Sequence, residues 1–272
     1  MWTELLEDLD LDGEAGPDLD ESIFVGDAGG REATGDRKAD HACSDRDFAA
    51  NVGIKFMTPE EFFLKEAPKP FTRPIEPKTF LVSPEASTST STTPMLFQNK
   101  NDLDIVIMCG SPGSGKSTFY WNKLKPLGYG RVNQDILKSR DKCIKMAREI
   151  LEGSVSVAVD NTNADTETRA VWISLATEYE VPIRCVYFTS PTHLCEHNDT
   201  VRALSGSLSG MKQNGEKLNP EKREILPHSA FSFYRSRFKE PQITEGFQDI
   251  VRVDFRFEGN EELKKIWSRY WI

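Results

Sequence analysis

The 272-residue sequence has no run of 18 apolar residues, so nothing in it is long and apolar enough to form a membrane-spanning helix. Its cysteines are few: Cys43, Cys109, Cys143, Cys185 and Cys195 are odd in number and show no paired spacing. That argues against a disulfide framework or a zinc site and predicts free thiols in a reducing compartment. A basic N-terminal region followed by an apolar run is also missing, since Met1-Trp2-Thr3-Glu4 leads into acidic sequence, which predicts no secretory signal. His193, His197 and His228 have no metal-ligand spacing with acidic or cysteine partners, so structural or surface roles are expected for them. What remains is ordinary for a soluble globular chain with some polar extra sequence: 38% hydrophobic and 10% aromatic residues. The length allows one large domain or two smaller ones.

Charge divides the chain. Residues 1–100 hold 10 Lys/Arg against 20 Asp/Glu, whereas residues 101–272 hold 24 against 23. Within 202–239 there are eight basic residues (Arg202, Lys212, Lys217, Lys222, Arg223, Arg235, Arg237, Lys239) against three acids. That local excess suits a phosphate backbone, and it suits a solvated helix face equally well. Phe231, Phe233, Tyr234 and Phe238 interleave with Arg235 and Arg237, a pattern for stacking on bases or for helix packing.

Residues 67–102 read as a linker, Pro-rich from Ala67 to Pro74 and Ser/Thr-rich from Ser83 to Pro94. Beyond it, strand-like runs at 105–109, 129–133, 155–159, 183–188 and 250–255 alternate with helical patterns near 116–125, 136–152, 166–180 and 193–204. The alternation predicts an α/β fold, a mainly parallel sheet with helices on both faces. Ahead of the linker, 1–21 reads as acidic loop. A strand at Ser22–Asp27, a helix from Asp45 and a further run at Gly53–Phe56 follow it. About 66 residues bury little surface alone. The expected division is therefore 1–66, linker 67–102 and 103–272.

Gly110-Ser111-Pro112-Gly113-Ser114-Gly115-Lys116-Ser117 fills the pattern G-x-x-x-x-G-K-[ST] at every position, between the apolar run Ile105–Cys109 and a helical pattern. Glycines let backbone N–H groups approach phosphate oxygens, Lys116 reaches the outer phosphates and the Ser117 hydroxyl suits Mg²⁺. Gly110 through Thr118 is thus the expected nucleotide-binding segment, a loop that fits kinases, ATPases and GTPases alike. Two more segments follow strand candidates and converge on the same sheet edge: Asn133-Gln134-Asp135 and Asp160-Asn161-Thr162-Asn163. Asp135 is the candidate general base, with a helix N-cap as its competing role. Asp160 is the candidate acid behind the metal. Arg202 is the candidate stabiliser of the transferring phosphoryl group if 195–215 closes over the site, and otherwise a surface arginine. A kinase for a small hydroxyl compound and a non-catalytic binder of nucleic-acid ends or partners are the competing functions.

These segments resemble the polynucleotide kinase 3′-phosphatase family. The resemblance runs through Gly110–Thr118, Val132–Asp135, Val159–Asn163, His197-Asn198 and Pro241–Phe247. Upstream it runs through Ile23–Arg31, Cys43–Arg46 and Thr58–Leu64. It implies a P-loop domain that uses ATP and Mg²⁺ to phosphorylate a 5′-hydroxyl on broken DNA or RNA ends, acting as a monomer in the nucleus. It puts Asp135 at the base position and Ser117 at the metal-contacting hydroxyl. It makes 1–66 the tail of a haloacid-dehalogenase-like phosphatase, with Asp27 as a Mg²⁺ ligand. That phosphatase needs an Asp-x-Asp-x-Thr nucleophile motif, which this sequence does not contain; Asp8-Leu9-Asp10-Leu11-Asp12-Gly13 lacks the threonine and the preceding strand. The resemblance therefore implies a phosphatase segment cut short and inactive. Gln134 stands where the family has arginine, and 198–202 keeps fewer arginines than the family pattern.

Overall fold

The computed structural model describes residues 2–9, 11, 16–35, 38–81, 97–205, 212–213, 216–217 and 224–271. The chain forms two compact units, Met1–Thr79 with Ser268–Ile272, and Phe80–Trp267.

The first unit holds α1 (Trp2–Asp8), β1 (Ile23–Val25), α2 (Ser44–Val52), β2 (Lys55–Met57) and α3 (Pro59–Phe63). Strands β1 and β2 pair in parallel, Phe24 opposite Phe56. The N-terminal stretch expected to be loop begins instead with a seven-residue helix. Its acidity hid a helical spacing of Trp2, Leu5 and Leu6, and Trp2 meets Phe48 of α2 edge-on at 6.5 Å. Asp45 and Asp47 in the first turn of α2 suit the positive end of the helix dipole. Helix α3 opens on a capping box: Glu61 N–H donates to Thr58 Oγ1 (3.3 Å) and Thr58 N–H to Glu61 Oε2 (2.7 Å).

The Pro-rich half of the expected linker belongs with this unit. Thr72 N–H donates to Gly30 O at 2.9 Å, Glu32 N–H to Pro70 O at 3.3 Å, and Arg73 Nε to Asp47 at 2.7 Å. Proline removes donors, yet the non-proline residues between still find partners. The other end of the linker joins the second unit, where Phe97 is buried beneath the Arg184 guanidinium, 4.3 Å from its ring centre. The Ser/Thr-rich part, 82–96, lies outside the described residues.

In the second unit, β3 (Ile105–Cys109), β4 (Gly130–Val132), β5 (Val157–Val159), β6 (Ile183–Phe188) and β9 (Ile250–Val253) form one sheet. Its order is β4-β5-β3-β6-β9, and every pairing is parallel. β3 is buried along its whole length because both faces are covered. Ile105, Ile107 and Cys109 pack with Cys143, Ala147, Trp172 and Leu175 from α6 (Arg140–Glu152) and α7 (Thr166–Glu178). Val106 and Met108 face Tyr120, Leu124 and Phe188. Each of the Ile, Val, Leu, Met and Phe side chains among them contributes roughly 1.5–3 kcal/mol of burial. The remaining helices are α4 (Lys116–Phe119), α5 (Gln134–Leu137), α8 (Thr192–Ser205), α9 (His228–Arg237) and α10 (Glu261–Trp267), with a short hairpin of β7 (Lys212–Gln213) and β8 (Glu216–Lys217).

Two expected helices differ in detail. The pattern at 136–152 is split into α5 and α6 by Lys138, which sits at φ +71°. The pattern at 116–125 is α4 followed by a wide π turn over Tyr120–Leu124. A 3-10 turn over Lys125–Leu127 follows, with Pro126 in its first turn, and Gly128 at φ +87° ends it.

Candidate active site

The loop between β3 and α4 leaves the carboxyl end of the central strand. Gly113 has φ +72°, and a Cβ placed on it would lie 2.1 Å from the Cys195 carbonyl oxygen of α8. Only glycine therefore lets the loop lie against that helix. Gly115, at φ +96°, precedes Lys116. Lys116 is buried, and its Nζ donates to Gly110 O (2.9 Å) and Ser111 O (2.6 Å). Its ammonium is thus tucked against the loop, where a phosphate would meet both the charge and the backbone N–H groups. Ser111 and Ser114 are buried, Pro112 and Ser117 half-buried, and Thr118 exposed.

Three segments are stitched into one edge by hydrogen bonds. Gly110 N–H donates to Thr162 O at 3.1 Å, and Asn163 Nδ2 to Met108 O at 2.8 Å. Gln134 N–H donates to Asn161 Oδ1 at 2.8 Å, and Asn133 Nδ2 to Asp160 O at 2.6 Å. Asp135 lies exposed in the first turn of α5. It caps neither helix there. The Asn133 side chain accepts from Ile136 N–H, and the Ser139 hydroxyl accepts from Lys142 N–H.

Asp160 is 2% exposed, and its carboxylate is engaged by the Arg131 guanidinium, with Nε at 2.9 Å. Arg131 in turn lies over the Trp121 ring, 5.3 Å from its centre. Arg202, on α8, forms an ion pair with the buried Asp199, which also accepts from Leu226 N–H at 2.8 Å. The expected closing segment is helical as far as Ser205, and 206–211 lies outside the described residues. So do Lys222 and Arg223 of the basic stretch. Arg237 pairs with Asp165 and lies over the Phe233 ring at 5.1 Å. His197 is buried, and its Nε2 donates to Trp267 O at 2.8 Å; burial pulls its pKa down against that bond. His228 pairs with Glu196 at 2.7 Å, and His193 lies against Phe80. Among the described residues no three His, Cys, Asp or Glu side chains gather as a metal cluster.

Arg169 was invisible from spacing. Fully buried, it grips Glu245 through Nε (2.8 Å) and Nη2 (2.7 Å), while Nη1 donates to the carbonyls of Asn163 and Ala164, both at 3.2 Å. It fixes the loop after β5 to the Pro241–Phe247 segment. The only foretaste in the sequence was Glu245 inside that motif.

In the first unit Asp27 is exposed, and its backbone carbonyl accepts from Arg31 at 3.0 Å. Arg31 is buried and also reaches Asp40 (2.8 Å) and Glu60 (2.7 Å). Burial alone would raise the Asp40 pKa. Hydrogen bonds and charge from Arg31, with the backbone N–H groups of Arg31 and Gly29, outweigh it and hold the pKa at about 2. Asp45 shapes the turn after Asp27 by accepting from Ala28 N–H at 2.9 Å.

A parallel sheet with a phosphate-binding loop on its central strand and helices on both faces is a P-loop kinase-type fold. Residues 1–63 match the family model described as polynucleotide kinase 3 phosphatase, and residues 105–143 and 139–223 match one described as AAA domain. The chain is 37% identical over all 272 residues to the bifunctional polynucleotide phosphatase/kinase of Schizosaccharomyces pombe, covering 59% of that protein. It is 32% identical over 263 residues to a putative bifunctional polynucleotide phosphatase/kinase of Acanthamoeba polyphaga mimivirus, covering 91% of this chain and 59% of that protein. A 55-residue stretch is 46% identical to the polynucleotide 3′-phosphatase ZDP of Arabidopsis thaliana, covering 20% of this chain and 7% of that protein. The chain is thus similar to polynucleotide phosphatase/kinases along nearly its whole length, in line with the family its motifs resemble, and it spans about three fifths of the length of the two bifunctional relatives.

Proposed function

We propose that this chain is an ATP-dependent polynucleotide 5′-hydroxyl kinase acting on broken DNA ends, with RNA ends as further substrates, in nuclear strand-break repair. The observation that carries this reading is the stitched edge. Bonds from Gly110 to Thr162 and from Gln134 to Asn161 put the Lys116 loop and Asp135 on one side of the sheet. The names of the two bifunctional relatives support the choice of substrate.

In the proposed reaction the loop N–H groups and Lys116 hold the ATP phosphates. The 5′-hydroxyl oxygen attacks the γ-phosphorus in line, the bond from that phosphorus to the β–γ bridging oxygen breaks, and ADP leaves. The hydroxyl proton passes to the Asp135 carboxylate. The Ser117 hydroxyl, at the start of α4, would hold a Mg²⁺ ion, which would supply positive charge beside the phosphates. Asp160 is committed to Arg131 and would act on such an ion through water. Arg202 would serve the phosphoryl group only after leaving Asp199. No phosphatase step is assigned to the residues of the first unit, Asp27 included, because none of them forms an Asp-x-Asp-x-Thr nucleophile motif.

Labelled γ-phosphate from ATP should appear on the 5′ end of a 5′-hydroxyl oligonucleotide, and Lys116→Ala should lower this by about a hundred- to a thousandfold. No phosphate should be released from a 3′-phosphorylated oligonucleotide. Transfer to small hydroxyl compounds in preference to oligonucleotides would overturn the substrate assignment.

A further inference from the structure

The phosphate-binding loop is held from outside by a side chain that the proposed chemistry does not use. Asn198, on α8, donates from Nδ2 to Gly113 O at 3.1 Å, and its Oδ1 accepts from Trp267 Nε1 at 2.8 Å. The two contacts determine each other. An indole N–H can only donate and a backbone carbonyl can only accept, so the residue between them must offer one acceptor and one donor. Asparagine does so. Aspartate has no donor, and leucine has neither.

Trp267 is itself fixed. Its ring stacks on Phe255 at 5.2 Å and 16°, it meets His197 edge-on at 4.8 Å, and its carbonyl accepts from His197 Nε2 at 2.8 Å. Trp267 is 5% and His197 4% exposed, so water does not compete for these bonds.

We propose that Trp267 and Asn198 are positioning residues for nucleotide binding: together they hold the Gly113 carbonyl against α8 and so aim the inner face of the loop. In a trans peptide the C=O and the following N–H point in opposite directions, and there is no cis bond among the described residues. With the Gly113 carbonyl turned to Asn198, the Ser114 N–H is turned inward. It donates there to Ser111 O at 3.2 Å, the oxygen that also receives Lys116 Nζ at 2.6 Å. The latch therefore orients a loop N–H on the same side as the lysine. Such a restraint matters at Gly113, because a residue at φ +72° without a side chain leaves its peptide freer to turn than a substituted one would. Without the Trp267 donor, the Asn198 amide is free to rotate and present oxygen to the carbonyl.

This inference rests on the ATP-binding reading above, and its test separates the two. In the full chain, Trp267→Phe keeps the stacked ring and removes only the N–H; Asn198→Asp keeps the shape and removes the loop donor. Titration calorimetry with Mg-ADP should show about fivefold weaker binding for Trp267→Phe, the size of one lost hydrogen bond, and at least tenfold weaker binding for Asn198→Asp. In the kinase assay both should raise the ATP KM while kcat and the oligonucleotide KM stay within twofold. Combining Trp267→Phe with Asn198→Ala should be no worse than Asn198→Ala alone, because the tryptophan acts only through the asparagine. Tyr129→Phe, which alters a buried hydroxyl of the same unit, serves as the control for general destabilisation and should leave ADP affinity unchanged. Unchanged ADP affinity in Trp267→Phe, or an equal rise in the oligonucleotide KM, overturns the latch. Wild-type protein that binds Mg-ADP without phosphorylating oligonucleotides overturns the substrate assignment and leaves the latch to be decided by the titration.

Discussion

In the unit formed by Met1–Thr79 and Ser268–Ile272, the buried positions are few and many are charged. Arg31, Asp47 and Glu61 are buried there, and the strands β1 and β2 have three residues each. In the unit Phe80–Trp267, five parallel strands bury Ile105 to Cys109 outright between two apolar layers. The contrast is one of forces. The first unit relies on directional bonds around single charged groups, while the second relies on non-directional burial and uses charge mainly to fix loops, as Arg169 does with Glu245. A mutation at a charged centre should therefore hurt the first unit most, and a cavity should hurt the second most.

The largest expected effects test that division directly. Ile107→Ala, at the middle of β3, should cost about 2–5 kcal/mol through lost burial and a cavity. Calorimetry should show the loss in the transition of the second unit. Arg31→Leu leaves the Asp40 and Glu60 carboxylates without their partner and should cost about 3–5 kcal/mol, read as lost amide-exchange protection in 23–63. Equal loss of protection in β3 on Arg31→Leu would blur the comparison.

A smaller effect follows from Asp40. Its pKa is depressed in the folded unit, so the unfolded chain binds the proton more readily. The stability this contributes, on the order of 2 kcal/mol, is present above the ordinary carboxylate value and is lost as pH falls from about 4 toward 2. Asp40→Asn should flatten that part of the pH–stability curve. The smallest expected effect is Thr58→Ala, which removes one half of the capping box and should cost about 1 kcal/mol in the first unit alone.

Much of the second unit was legible because its signals are local. The five apolar runs became the five strands, and the glycine loop lies between a strand and a helix as its pattern demands. The convergence of 110–117, 133–135 and 160–163 followed from the rule that loops after parallel strands share an edge. What was not legible depends on pairing across the fold. Composition hid helix α1, because a local acidic bias says nothing about Trp2 meeting Phe48. The split at Lys138 was missed because a left-handed lysine leaves no mark in an otherwise helical pattern. Asp135 could not be separated from a cap by sequence; only the structure shows Asn133 and Ser139 filling the caps on either side. The partner of Asp160 was equally hidden, since Arg131 lies 29 residues away on another strand.

The central claim is that the loop and Asp135 form one phosphoryl-transfer site on the second unit. The most direct test is single-turnover transfer of labelled γ-phosphate to a 5′-hydroxyl oligonucleotide by Asp135→Asn protein, with Mg-ADP affinity measured on the same sample. The account predicts transfer lowered by about a hundred- to ten-thousandfold with ADP affinity within twofold of wild type. Full transfer by Asp135→Asn protein would contradict it.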